Sequence, residues 1–433
     1  MEDSSVLIIG CGAAGLAAAR SLSARDIPVT ILEARDRPGG RIHTVASLTH
    51  VPIELGAEFI HGKRNRTREY IRRAKLSTHE TPDRHWLQAD SGLIEDQEFW
   101  EELEQVMGKI ESGEADTDFE SFLAKAKGLK ERAKWLAHEY VEGFHAAPAK
   151  RMSIKALAKA EAASERADGT HQFRLSTGYS GLVQWLASQL EQAHVPIHYH
   201  IRVEELLWEA GKVEARAQTP EGSKRFGSSH ALITVPLGVL KEQAKAGITF
   251  EPALVEKKQA IAGLEMGDVI KIVLEFHSRF WPVENFGFIH SKEPWLPTWW
   301  ADERGTILTG WAGGPRATKL ASEHPDAITA EGCRALSHIF KVEQRQIEEL
   351  LAASHFHNWN EDPLSRGAYS FTPVGMTEMT EQLARPVADT LFFAGEATDA
   401  DGEQGTVQAA LASGERAANE IIATLRKAHA EKF

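Results

Sequence analysis

Three glycines at GxGxxG spacing, Gly10, Gly12 and Gly15, follow the apolar run VLII and open a small-residue stretch, AAGLAAARSL. At the first position glycine permits a tight turn, and at the second it lets backbone approach a pyrophosphate. At the third it lets a helix pack closely on a strand. The chemistry on offer is anion binding, because the N-terminus of the helix read over Leu16–Leu22, with Ala13 and Ala14 in the turn before it, offers unpaired N–H groups to phosphates. Glu33 ends the next apolar run, VTIL, where an acidic side chain accepts hydrogen bonds from an adenosine ribose. A second chemical group stands far along the chain. Lys271 interrupts VIKIVLEF, with Val269, Ile270, Ile272, Val273 and Leu274 around it. On a strand it shares a face with Val269 and Val273, and its ammonium either serves a site there or snorkels to water from a sheet edge.

Metal chemistry has less support. His198/His200 and His355/His357 each set two imidazoles on one strand face, but no third clustered ligand accompanies either pair, so no metal is assigned. Cys11 and Cys333 are the two cysteines and neither lies in a CxxC. That argues against a disulfide framework or a zinc site, and fits a reducing compartment.

The elements that hold these groups follow from the pattern. VLII and VTIL read as strands around a helix, a βαβ unit. Residues 95–163 are largely helical in periodicity, and open with eleven acids between Glu95 and Glu120 against one base, Lys109. This segment reads as a solvated face, or else as a rim that attracts cations. A basic stretch, KRNRTREYIRR, follows Gly62. From 174, GYSGLVQWLASQL gives a turn and helix, then short strands VPIHYHIRV, EELLWEA, KVEARAQT and HALITVP. Residues 250–354 mix a helix over 252–264, the strand of Lys271, aromatic-rich strands (WLPTWWADE, TILTGWAG) and two helices. The expected class is α/β, with two interleaved domains. A Rossmann-type nucleotide-binding domain takes 1–75, 174–249 and 355–433; an α+β substrate domain takes 76–173 and 250–354. A net charge of −13 argues against nucleic acid as a partner. No apolar run reaches the length of a membrane span, and little chain precedes the first strand to hold a signal peptide. The expected location is cytoplasmic, as a monomer or homodimer.

Several separated motifs carry a resemblance. After Glu33, ARDRPGGRIHT (34–44) resembles the second FAD motif of the glutathione-reductase-like flavoproteins in their amine oxidase branch. There Ala34 and Arg35 flank the ribose end, Gly39 and Gly40 let backbone approach the diphosphate, and Arg41 neutralises it through a fork of donors. ELGAEFIHG (54–62) is similar to the loop that passes under the flavin in polyamine oxidases, with Phe59 in place of tryptophan. GYSGLVQWLA, ITVPLGVLK (233–241), WNEDPLSRGAYSF (359–371) and FAGEATDADGEQGTVQAALASGERAA (393–418) resemble further segments of the same family, in order. The chain is identified as a member of the flavin amine oxidases, the family of monoamine oxidases, polyamine oxidases and related histone demethylases.

The resemblance implies FAD and an amine substrate, oxidised by hydride transfer to flavin N5 with O2 reduced to hydrogen peroxide. It places Lys271 at a water beside flavin N5, and Gly56, Ala57, Glu58 and Phe59 in the loop beneath the ring. It places Val203 at the adenine through its backbone, Glu396 and Val407 at the ribityl–phosphate and pyrimidine ends, and Gly395 and Gly405 also at the cofactor. Tyr369 matches one wall of an aromatic cage before the flavin. Thr406 takes the position of the other wall, where monoamine oxidases carry a second tyrosine, so the sequence stands nearer the polyamine oxidases. Ala368 stands where monoamine oxidases bear a flavin-bonding cysteine, which implies non-covalent FAD. Trp359 either packs beside the flavin or serves the core, and His61 either selects the substrate or satisfies backbone. The substrate is a polyamine or a primary or secondary monoamine. An L-amino acid oxidase and a non-catalytic FAD-binding interaction protein are the alternatives.

Overall fold

The computed structural model describes residues 5–110, 115–242 and 247–430. Glu111 and Glu114 of the acidic segment lie outside the described residues. The nucleotide-type motif sits in a five-stranded parallel sheet, in the order Ile197–His198, Val29–Leu32, Val6–Ile9, His230–Ile233 and Leu391–Phe393. These strands are nearly all apolar because both faces are covered. Helices Ala13–Ser23, Tyr179–Gln192 and Val407–Ala430 cover one face. A mixed sheet, antiparallel through Arg202–Glu209, Lys212–Thr219 and Gly222–Ser228, covers the other. Small residues set the spacing: a Cβ on Gly15 would meet the Gly10 carbonyl oxygen at 2.1 Å, and one on Gly414 would meet that of Ala14 at 2.2 Å.

A second, seven-stranded sheet carries Lys271. Its order is Leu351–Phe356, Val269–Phe276, Ile307–Gly313, Thr298–Asp302, Phe288–His290, His85–Ala89 and Gly92–Glu95. Alternation along Val269–Phe276 follows the strand period. Ile270, Ile272 and Leu274 enter a core shared with helix Pro325–Phe340, while Val269 and Lys271 face a large cavity. All of this strand is buried, so Lys271 is no edge lysine: its residue is 3% exposed. Helices Phe99–Met107, Phe119–Lys125, Glu131–Phe144 and Ile154–Ala167 form the expected helical segment around their own core. The expected α/β class holds, with a parallel nucleotide-type sheet and a largely antiparallel second one.

Four local expectations are corrected. His198 and His200 do not share a strand face, because the strand ends at His198 and His200 takes a left-handed φ of 57°. His355 and His357 also part: the strand ends at Phe356, and His355 pairs with Glu275 while His357 pairs with Asp362. The helix expected over 252–264 is confined to Lys258–Gly263 after a single 3₁₀ turn, and three helices, not two, follow the aromatic strands. Among the described residues no group of three or more His, Cys, Asp or Glu could hold a metal ion. No helix among them is long and apolar enough to cross a membrane.

Candidate active site

One cavity of about 1430 Å³ runs from the GxGxxG turn to the seven-stranded sheet. That exceeds the roughly 300–1,000 Å³ of an ordinary ligand pocket, leaving room for a dinucleotide and a substrate together. At one end, helix Ala13–Ser23 starts at Gly12 with no side-chain cap, so its first N–H groups remain for a ligand. Gly10 (φ 107°) makes the turn, and a Cβ on Gly12 would meet nothing nearer than the Gly39 carbonyl at 4.0 Å. Gly40 (φ 59°) faces Gly12, so two backbones stand open towards the cavity. Glu33 is buried, and its two oxygens accept from Cys11 N at 2.7 Å and Arg35 N at 2.8 Å, which fixes the carboxylate at the cavity wall with lone pairs to spare. Ala34 and Arg35 line the same wall, as does Val203, held nearby because Ile201 N donates to Glu33 O at 2.8 Å. This cradle fits the adenosine and diphosphate of FAD.

Arg41 stands over the next stretch. Its Nη1 donates to Glu396 Oε1 at 2.9 Å and to the Ala368 carbonyl at 2.7 Å, leaving the rest of the fork for phosphate. Glu396, buried, also accepts from Ser370 Oγ at 2.6 Å and Gly405 N at 3.0 Å, so it ties three chain segments together. Gly395 (φ 130°) has open space where a Cβ would stand. Gly56 has none: a Cβ there would meet the Arg41 carbonyl at 1.8 Å. Thr406 Oγ1 donates to the Glu403 carbonyl and accepts from Ala409 N, which fixes the entry of the last helix beside Val407. Trp359 is buried, lines the cavity and donates Nε1 to the Leu55 carbonyl at 2.8 Å, so it serves the core and the cavity wall at once.

The seven-stranded sheet supplies the other end. Direct cross-strand pairing puts Lys271 opposite Trp311, Trp311 opposite Thr298, and Thr298 opposite His290. A parallel row runs Val273, Thr309, Trp300, Phe288, His85. Side chains directly opposite share a face, so both rows look the same way. The Lys271 ammonium meets Glu58 Oε2 at 2.5 Å and the Gly56 carbonyl at 3.2 Å. Glu58 Oε1 accepts from Arg174 Nε at 2.7 Å and Trp300 Nε1 at 2.9 Å. Burial pushes the Glu58 carboxyl up, but the charges of Lys271 and Arg174 and the donors of Lys271 and Trp300 outweigh it and hold it below the usual range. An ammonium has three donors, so one N–H of Lys271 remains after Glu58 and Gly56. Sequence reasoning placed Glu58 only at the flavin and missed Arg174, which lies 116 residues away in the chain.

Facing the sheet are His61, Phe144 and Tyr369. Burial lowers the His61 pKa to about 4, so the ring is neutral at neutral pH. It meets Phe144 edge-on at 5.5 Å and Phe59 at 6.4 Å. Ala57 and Phe59 continue the lining. Phe59 lies under the Arg174 guanidinium at 4.7 Å and meets Trp300 edge-on at 5.4 Å. Tyr369 donates its hydroxyl to the Phe144 carbonyl at 2.6 Å, which fixes both rings, and Gly405 (φ 85°) lets that tyrosine close in. Phe144 stacks on Tyr140 at 5.1 Å and 8°. Nothing in the sequence motifs marked Phe144, although its place one turn from Tyr140 on a helical face is the signal that could have found it.

Glu161 is the titratable group of this wall. Burial, then Glu104 and Glu165, against a hydrogen bond from Tyr140, raises its pKa to about 7. The folded chain therefore holds this proton at a pH where the unfolded chain has lost it. The stabilisation is present below the unfolded value near 4.5 and is lost as pH rises through about 7. Glu161→Gln, which cannot ionise, is expected to raise the melting temperature by about 2–4 °C at pH 8 and by less at pH 5. Thermal melts at the two pH values check this, and an equal shift at both would refute it.

Of the acidic segment, Glu101 and Glu104 line the cavity, whereas Glu95, Asp96, Glu102 and Glu120 are paired with Arg84, Arg132 or lysines. The segment is therefore divided between cavity wall and ion pairs, and the Asp96 and Glu102 side chains are buried in theirs rather than on a solvated face. None of residues 63–73 lines the cavity. Arg66 pairs with Glu69 and Glu415, Arg68 lies 3.6 Å over Phe173, and Lys63 pairs with Asp168. The basic stretch thus braces the fold, and through Lys63 it pairs with Asp168 of the cavity wall.

A sequence model described as "Flavin containing amine oxidoreductase" matches residues 13–422. "Polyamine oxidase 3" of Oryza sativa subsp. japonica is 30% identical, over 96% of this chain and 88% of its own. "Lysine-specific histone demethylase 1 homolog 2" of Arabidopsis thaliana is 30% identical over 97% of this chain and 58% of its own. Among solved structures, a putrescine oxidase bound to putrescine superposes with a TM-score of 0.81 at 18% identity, covering 97% of this chain and 99% of that one. Cyclohexylamine oxidase from Brevibacterium oxydans IH-35A gives 0.81 at 20% identity, covering 98% and 100%.

Proposed function

The chain belongs to the flavin containing amine oxidoreductases, and from that premise we propose that it binds FAD non-covalently and oxidises an extended, polyamine-like substrate. The observation that carries this reading is the single cavity joining the Gly12–Gly40–Glu33 cradle to the Lys271 row. Bound flavin would supply a two-electron acceptor for the hydride equivalent on the carbon beside the amine nitrogen, with O2 as the final oxidant, so that amine and O2 would become imine and hydrogen peroxide. The chain's residues do the rest. Glu33 receives the ribose, the N terminus at Ala13 and Ala14 receives the diphosphate, and Arg41 neutralises it. Neither cysteine lines the cavity and Ala368 has no nucleophile, which supports a dissociable cofactor.

Oxidation needs a neutral amine. Walls of Phe59, Phe144, Trp300, Trp311 and Tyr369 desolvate the nitrogen and lower its pKa. His61, unprotonated, accepts an N–H from it. Lys271 turns its remaining N–H to a water at the reacting end. We assign the parallel-sheet segments to a cofactor domain and the helical segment with the seven-stranded sheet to a substrate domain, as the sequence suggests. An L-amino acid would need an arginine for its carboxylate. The lining arginines Arg35, Arg41 and Arg202 flank the Glu33 and Glu396 end, and Arg174 is held by Glu58. A peroxide-release screen across polyamines, diamines, aromatic monoamines and L-amino acids tests the proposal. Peroxide is expected from polyamines or long diamines first, and silence across the panel would sink it.

A further inference from the structure

At the end of the sheet opposite Lys271 stands a group of side chains that the oxidation does not use. His85 and His290 lie on the parallel strand pair His85–Ala89 and Phe288–His290, and both line the cavity. Asp83 Oδ1 is 3.2 Å from His85 Nε2 and 2.9 Å from Trp100 Nε1. His85 Nδ1 is 3.0 Å from His290 Nε2. The Phe99 ring pins both imidazoles, lying 3.7 Å and 7° from His85 and 4.8 Å and 15° from His290. Phe288, across the strand pair, lies at 5.6 Å and 19° from His85. Rings held in such a stack do not turn over freely, so their protons are assigned by their partners.

The assignment runs outward from the carboxylate. Burial pushes Asp83 up, but donation from His85 and Trp100 outweighs this and holds it ionised. A carboxylate only accepts, so His85 Nε2 carries a proton. In the tautomer of the neutral ring that this fixes, His85 Nδ1 is the acceptor, and the hydrogen bond between the imidazoles takes its proton from His290 Nε2. His290 is then left with a lone pair at Nδ1. That atom makes no hydrogen bond among the described residues and is not one of their closed-off, unpartnered atoms. Burial keeps His290 well below the ordinary imidazole range, so its ring holds a single proton and the lone pair at Nδ1 stays with it.

The geometry points to His290 Nδ1 as the acceptor for a second, cationic N–H of the substrate, far from the nitrogen that reacts. Lys271, Trp311, Thr298 and His290 are successive cross-strand partners, so three interstrand steps, about 14 Å, separate the two ends. Between them Trp300 and Trp311, 5.8 Å apart, offer indole faces to a methylene chain or a passing ammonium. Glu101 and Glu104, on the same helix as Phe99, add a field that favours a cation. A monoamine reaches one end only, whereas a long diamine or polyamine reaches both. Asp83 and His85 act as positioning residues, through His290.

This subsite rests on the amine oxidase reading, so its test separates the two. Binding is titrated to the dithionite-reduced holoenzyme, where no turnover intervenes, with 1,8-diaminooctane and octylamine, which differ by one terminal nitrogen. Wild type is expected to prefer the diamine. His290→Phe, which keeps a ring under Phe99, is expected to weaken the diamine by about tenfold and octylamine by less than about twofold. His290→Gln, which retains an acceptor, is expected to regain part of that loss. Asp83→Asn, a second route that leaves His290 in place, is expected to cost the diamine about threefold. Equal weakening of both amines, or no weakening of the diamine, would overturn the subsite. If wild type releases no peroxide from any amine, the oxidase reading fails alone. The titration then still decides the subsite, since diamine selectivity lost in His290→Phe supports it and its lack overturns it.

Discussion

Lys271→Met is expected to slow flavin reduction or reoxidation at least tenfold while the purified protein keeps its flavin. Tenfold corresponds to about 1.4 kcal/mol of barrier. Flavin retention follows from distance along the cavity wall: the cradle of Gly10, Gly12, Glu33 and Arg41 belongs to the parallel sheet and its loops, not to the strand of Lys271. The rate loss follows from the donor count. Glu58 and the Gly56 carbonyl take two of the three N–H groups, and methionine supplies none to replace the third. The fold should tolerate the change, because Glu58 keeps Arg174 and Trp300 as partners and methionine fills the lysine's stem volume. Anaerobic reduction by a diamine and reoxidation by O2, followed by stopped-flow absorbance of the bound flavin, measure both half-reactions. Unchanged rates in both would refute the role given to Lys271.

What the sequence disclosed and what it withheld divide along range in the chain. The GxGxxG turn, Glu33 and the glycines at 39 and 40 lie within one βαβ unit, so spacing alone put them in a common cradle. The face of Lys271 was legible because alternation is local: Val269 and Lys271 on one side, Ile270 and Ile272 on the other. Its partners were not. Arg174 meets Glu58 across 116 residues, and His85 meets His290 across 205, through strand pairings that no local pattern encodes. Register between distant strands is set by which faces must be buried, and that is decided only once the sheet assembles. The histidine pairs failed for the reverse reason. His200 looked like a continuation of the strand, yet a left-handed residue there turns the chain so that its N–H reaches the Arg35 carbonyl. Spacing of two implies a shared face only while the backbone stays extended.

Glu58 is expected to matter more to the fold than the lysine it holds. Glu58→Gln keeps the side-chain shape and removes the only carboxylate bonded to both Lys271 and Arg174 among the described residues. Two cations are then left buried side by side, which costs about 3 kcal/mol, the range seen when one partner of a buried pair is deleted. Lys271→Met leaves the pair of Glu58 with Arg174 and costs less. The double variant should therefore be more stable than Glu58→Gln alone, since it removes one of the two stranded charges, and Asp302 still lowers the burden on Arg174. Thermal unfolding midpoints of the four proteins at one scan rate form the cycle, with a coupling of at least about 1 kcal/mol expected. Simple additivity would show that the 2.5 Å contact contributes no mutual stabilisation. The predicted asymmetry has a chemical meaning. A carboxylate that already accepts from two cations and an indole N–H is taken up with holding Lys271 and Arg174 in place, which in the proposed reading leaves the neutral reacting amine to His61 and the aromatic walls.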